Sequence, residues 1–138
     1  MKMKNLIILG LSLVLLSCSN KDKITGKWER VGDEYQGLRI NTSQLGEKHI
    51  GKLLYVTDIG RQYGLEIEDV KWKDITKIND TIYEFLDLGK GYDSYNNIVS
   101  EYHDAYMTIT SNDTIKIRLA VKGSEPWGTT QTWIRIKE

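Results

Sequence analysis

The chain has 138 residues, with 19 Lys and Arg against 19 Asp and Glu, one cysteine and one proline. That length allows one compact domain and excludes a doubly wound dinucleotide fold with a second domain attached. Zero net charge leaves no basic footprint for nucleic acid, and a lone cysteine excludes both an internal disulfide and a Cys-Cys zinc knuckle. With 40% apolar and 28% charged residues, wholesale disorder is excluded too.

Met1-Lys2-Met3-Lys4 is basic, and Leu6 to Leu16 is apolar except for Gly10 and Ser12. As a helix that run spans about 16 Å, roughly half a bilayer core, so it reads as a secretory leader and not as a permanent membrane span. Leu15-Leu16-Ser17-Cys18 ends the run and resembles the bacterial lipobox, in which an apolar pair and a small residue precede the cysteine that is lipidated. The resemblance implies cleavage after residue 17 and acylation of Cys18, each buried methylene adding about 0.8 kcal/mol of membrane affinity. Loss of residues 1–17 removes Lys2 and Lys4 and leaves 17 basic against 19 acidic side chains, with no polybasic patch. The lipid on Cys18 is therefore the expected membrane partner. Ser19 stands where an Asp would favour inner-membrane retention, so the expected destination is the bacterial envelope at the outer membrane, facing periplasm or cell surface. Residues 18–23 form a short polar tether and residues 24–138 the folded domain.

From Ile24 the apolar period is two, the pattern of strands with one buried and one wet face. Strands are expected at Ile24–Val31, Gly37–Thr42, His49–Thr57, Tyr63–Trp72, Asp74–Ile78, Ile82–Leu88, Val99–Thr110, Thr114–Lys122 and Thr130–Lys137, eight or nine in all. Thr42–Lys48 reads as a short turn of helix. In Thr114–Lys122 the residues Ile115, Ile117, Leu119 and Val121 share one face; in Val99–Thr110 Ala105, Met107 and Ile109 do. Two hairpins turn at Asn79-Asp80-Thr81 and Ser111-Asn112-Asp113, where Asn and Asp tolerate positive φ. Gly89–Ile98 and Gly123–Thr129 read as the largest irregular connections. A meander of this size either exposes two edges or closes on itself, and closure removes them.

Ile24-Thr25-Gly26-Lys27-Trp28 resembles the Gly-x-Trp opening of the lipocalins and related calycin barrels, and Thr132-Trp133-Ile134-Arg135 resembles their last-strand partner. The chain is thus similar to the small lipocalin-like lipoproteins of Bacteroidota. The resemblance implies an all-β fold, a single antiparallel up-and-down β-barrel of about eight strands. Gly26 would let the first strand bend, Trp28 would plug one end, and Arg135 would cover the indole, a cation–π contact worth about 0.5–2 kcal/mol. The chain lacks the C-terminal helix and the disulfide cysteines of larger lipocalins, which argues against a spacious cup. Leu86, Met107, Ile117, Leu119 and Trp28, all expected inside, would nearly fill a barrel of this size.

No catalytic residue, cofactor or metal is expected. The chain has two histidines, His49 and His103; Asp104 adjoins His103 but points to the opposite face, so no triad forms. Glu66 and Glu68, on one face of a strand about 7 Å apart, oppose Leu65 and Ile67 and read as water-facing. Walker, Gly-x-Ser-x-Gly and His-Glu-x-x-His spacings are missing from the sequence. Tyr92 and Tyr95, in Gly91-Tyr92-Asp93-Ser94-Tyr95-Asn96-Asn97, and Trp127, in Glu125-Pro126-Trp127-Gly128, offer contact area at low entropic cost. These three are the candidate rim for a ligand or partner, or a lid over the barrel end.

Two non-enzymatic functions follow. One is binding of a small apolar or amphipathic molecule, or a glycan, by a membrane-anchored lipocalin-like barrel. The other is an envelope protein–protein interaction module, an inhibitor or immunity protein, with a filled barrel. The first needs a partly empty lumen, the second a packed core and an exposed patch.

Overall fold

The structure, a computed structural model, describes residues 22–120 and 127–137, with backbone alone for Trp127 and Gly128. The leader, Cys18 and the start of the tether lie outside the described residues, as do Val121 to Pro126. Eight strands follow one another: β1 (Gly26–Val31), β2 (Arg39–Leu45), β3 (Lys48–Tyr55), β4 (Val70–Lys77), β5 (Ile82–Tyr92), β6 (Ile98–Ser111), β7 (Thr114–Leu119) and β8 (Trp127–Arg135). A five-residue helix, α1 (Asp58–Gln62), interrupts the path from β3 to β4. Each strand pairs antiparallel with the next, and β8 returns to β1 through Trp28↔Arg135 and Arg30↔Trp133. The result is a closed up-and-down barrel without a free edge.

Alternation builds the interior. Trp28, Ile40, Leu53, Trp72, Tyr83, Phe85, Met107, Ile115, Ile117 and Trp133 are all buried to 3% exposure or less. Trp72 meets Trp133 edge to face at 4.9 Å between ring centroids, and meets Phe85 at 5.8 Å. These aromatic rings pack across the space an eight-stranded cylinder encloses, whose width side chains are just able to fill. Gly51 makes room for one of them. A Cβ there would lie 2.9 Å from both Ile40 Cγ2 and Trp72 Cε3, so the indole lies directly against the β3 backbone.

Several expectations need correction. Tyr63–Trp72 is not one strand: Thr57 caps α1 by accepting from the Gly60 N–H, and the chain stays irregular to Val70, where β4 begins and runs through Asp74. Glu66 and Glu68 therefore sit on a loop, exposed as expected but with Glu68 at φ +75°. Thr42–Lys48 is not helical. It is the β2–β3 hairpin, with Leu45 opposite Lys48 across Gly46-Glu47. The Asn-Asp turns do not use positive φ, which among non-glycine described residues occurs at Glu68, Asp74 and Asn96. Instead the Asn79 side chain accepts from the Thr81 and Ile82 N–H groups, and Ser111 Oγ accepts from Asp113 N. Leu86 lies on the outer wall, because Tyr83, Phe85 and Asp87 take the inward positions of β5. Gly89–Ile98 is mostly ladder: pairing continues to Tyr92↔Ile98 and leaves only Asp93–Asn97 as the loop.

Candidate functional site

The two barrel ends are built differently. At one, the segment from Asp22 to Gly26 crosses the opening and is fastened from several strands. Trp28 Nε1 donates to Ile24 O at 2.9 Å, and the Thr42 hydroxyl donates to the Ile24 and Gly26 carbonyls. Arg135 lies 4.3 Å over the Trp28 ring and donates to the Lys23, Thr25 and Asn112 carbonyls. Gly26 has φ +133°, and a Cβ there would lie 2.7 Å from Arg135 Nη1. The motif residues at the two ends of the domain thus close the barrel together. Tyr83 donates to Asp22 Oδ1 at 2.5 Å, and buried His49 lies 3.4 Å from Asp22 Oδ2. Burial, and next the Asp22 carboxylate, push the Tyr83 phenol above its ordinary range.

The opposite end is the mouth, and its chemistry is ionic. Arg30, inward on β1, donates to Asp33 at 2.9 Å and stacks 4.8 Å from the Tyr35 ring. Lys71 and Asp87 form an ion pair at 2.6 Å, and the same ammonium donates to Leu88 O. Both are nearly inaccessible, at 6% and 4% exposure. Lys71 points inward because β4 carries an extra residue there: Gly51 pairs with Trp72 and Lys52 with Val70, leaving Lys71 in a bulge. Lys90 Nζ bonds Asp69 at 2.9 Å and Gly64 O at 3.0 Å. Between these groups lies a cavity of about 100 Å³, walled by Arg30, Lys71, Lys90, Tyr35, Tyr63 and leucines. Burial and the Glu34 carboxylate raise the Tyr35 phenol. A larger groove of about 190 Å³ lies on the outer wall near Lys48, Glu84, Leu86 and Tyr106, and it contains no buried charge.

The β5–β6 hairpin rises beyond the mouth. Tyr92 donates to Gln62 O at 2.6 Å and Tyr102 to Val70 O at 2.8 Å, so the two phenols brace it against α1 and the start of β4. At its tip, Asp93 accepts from the Tyr95 and Asn97 amides, and the Asn97 amide holds the carboxyl below its usual range. Tyr95 is 84% exposed, and Tyr92, Ile98 and Val99 are also exposed. Of the three expected rim residues, Tyr92 and Tyr95 share this hairpin but neither lines the cavity. The Trp127 backbone opens β8 opposite Leu119, so residues 127–129 of the expected Gly123–Thr129 connection are strand, while its residues 123–126 and the Trp127 side chain lie outside the described residues.

His49 and His103 belong to opposite ends, His103 being exposed against Gly89 near the mouth. Sequence reasoning did not find Arg30, Lys71, Asp87 and Lys90. One signal was present, a carboxylate at an inward position in Tyr83-Phe85-Asp87; its partner depends on the bulge, which no local pattern marks. No known protein family, curated protein or solved structure matches this chain. What the fold and the site define is a closed, eight-stranded antiparallel barrel with an aromatic interior and a charged mouth.

Proposed function

We propose that this protein is an envelope lipoprotein whose barrel is a rigid stand for a protein-recognition surface at its mouth, formed by the β5–β6 hairpin. The observation that carries this reading is the packed interior: three fully buried indoles with Tyr83, Phe85 and Met107 occupy the place a carried ligand would need. Small-molecule sites run to roughly 300–1,000 Å³, and the mouth cavity is about 100 Å³. The barrel itself is compatible with ligand carriage, but its filling favours the partner. Exposed Tyr92 and Tyr95 provide aromatic area of the kind that anchors interfaces, with exposed Ile98 and Val99 beside them.

Lipidation at Cys18 gives this surface a direction. Three residues, Ser19, Asn20 and Lys21, separate Cys18 from Asp22, so the four steps between them reach about 14 Å when extended. Because Asp22 belongs to the plugged end, that end would face the membrane and the hairpin would point away from it. The test places a photo-crosslinking phenylalanine analogue at Tyr95, or at Glu47 in a turn of the plugged end, in the full chain expressed in its own cells. A discrete heavier adduct is expected from position 95 only. Adducts with lipid from 95, or with equal yield of protein from both positions, would overturn the reading. Cys18→Ser should release the chain from the membrane fraction.

A further inference from the structure

The mouth cavity has one-sided chemistry. Three cations line it, Arg30, Lys71 and Lys90, with Tyr35 and Tyr63 and the apolar Leu38, Leu65 and Leu88. Their counter-ions Asp33, Asp87 and Asp69 pair with them without lining the cavity. Each cation also keeps donor capacity. An ammonium carries three N–H groups and a guanidinium five. Lys71 spends its bonds on Asp87 and Leu88 O, Lys90 on Asp69 and Gly64 O, and Arg30 on Asp33 alone. The space is small, about 100 Å³, the share of roughly three water molecules. That matches a group of three heavy atoms, and the Tyr35 and Tyr63 rings, in contact at 6.2 Å between centroids, form one aromatic wall beside it.

We propose that this cavity binds the carboxylate of a small organic acid or of a chain end, with an apolar or aromatic body resting on Tyr35, Tyr63 and the leucines. A carboxylate accepts through two oxygens and forms its strongest hydrogen bonds with charged donors. Because three carboxylates already balance the three cations, a bound anion rests on the spare N–H donors alone, and a dianion such as phosphate, with twice the charge to desolvate and repel, fits less well than a monoanion. The inference does not depend on the partner reading. A free acid and a peptide C-terminus carry the same group, and the experiment separates them.

Amide chemical shifts of the ¹⁵N-labelled full chain in a neutral detergent are followed during titration with sodium benzoate, benzyl alcohol, inorganic phosphate, and the peptide acetyl-Gly-Gly-Leu as free acid and as amide. Saturation by benzoate in the millimolar range is expected, with shifts confined to the neighbourhood of Arg30, Lys71, Leu88 and Gly89, and none with benzyl alcohol. Arg30→Gln should weaken benzoate binding about tenfold, the loss of one hydrogen bond from a charged donor. Binding of the peptide acid but not its amide would identify a chain end as the source; benzoate alone would identify a free acid. No saturable shift with either acid, equal response to benzyl alcohol, tighter binding of phosphate, or undiminished benzoate binding in Arg30→Gln would overturn the proposal. Should Arg30→Gln fail to fold, Lys90→Gln and the benzoate–benzyl alcohol pair in the unaltered chain still decide it.

Discussion

The plugged end and the mouth solve the same problem, ending a cylinder, with opposite chemistry. At the plugged end apolar area and directional bonds agree: Trp28 fills the opening while Arg135, Thr42 and the indole N–H satisfy the carbonyls of the crossing segment. At the mouth three ion pairs stand where leucines could have packed. Removing two charges from water costs several kcal/mol per ion, so a buried pair such as Lys71–Asp87 is weak evidence of stabilisation. The difference teaches that the plugged end gains from packing and hydrogen bonds that agree, whereas the mouth keeps charges that cost desolvation.

The largest expected effect tests the first half of that contrast. Trp28→Ala should lower the unfolding free energy by about 3–5 kcal/mol, the usual cost of deleting a fully buried indole, measured by denaturant titration. A loss within ~0.5 kcal/mol, the range of ordinary surface changes, would break the claim that this ring holds the end closed. Next comes the mouth. Lys71→Met should cost about 3 kcal/mol, because it leaves the Asp87 carboxylate buried without a partner. The double variant Lys71→Met, Asp87→Leu should recover most of that loss. Failure of the second substitution to rescue would mean that the pair is itself the stabilising element, and the two ends would then be alike.

The smallest effect is the pH response of the Asp22–Tyr83 latch. Burial and the Asp22 carboxylate raise the phenol pKa in the folded chain, while an unfolded chain releases that proton near pH 10. The contribution is therefore complete below about pH 10 and falls as pH rises, by up to ~1.4 kcal/mol per pH unit for this one group. Tyr83→Phe should flatten the slope of unfolding free energy against pH above 10. A slope unchanged by the substitution would show that other groups, such as Tyr35 or Tyr102, both also raised, carry the alkaline sensitivity.

How much was legible follows from the same contrast. Strands such as β7 could be read from alternation alone, since Ile115 and Ile117 must share a face whatever surrounds them. Turn positions were legible as well, though the mechanism differed: Asn79 captures backbone N–H groups instead of taking up positive φ. The plugged end was legible because each of its two motifs is local, Gly26-x-Trp28 and Trp133-x-Arg135. Where the local pattern was ambiguous the reading failed. Leu65 and Ile67 alternate with Glu66 and Glu68 as a strand would, yet Thr57 starts a helix just upstream and Gly64, at φ +94°, shapes the loop after it.

The sequence by itself determined the all-β class and the antiparallel meander, because a side-chain period of two is a property of neighbours along the chain. The residues that join first strand to last were marked only by the resemblance of two short motifs to those of known barrels. Only the tertiary structure decided the packed interior and the mouth. Arg30, Lys71, Asp87 and Lys90 come from three strands, and Lys71 turns inward through a single unpaired residue. Ring closure and one bulge bring the three cations to one cavity and Lys71 within bonding distance of Asp87, and both depend on cross-strand register, which no stretch of neighbours encodes.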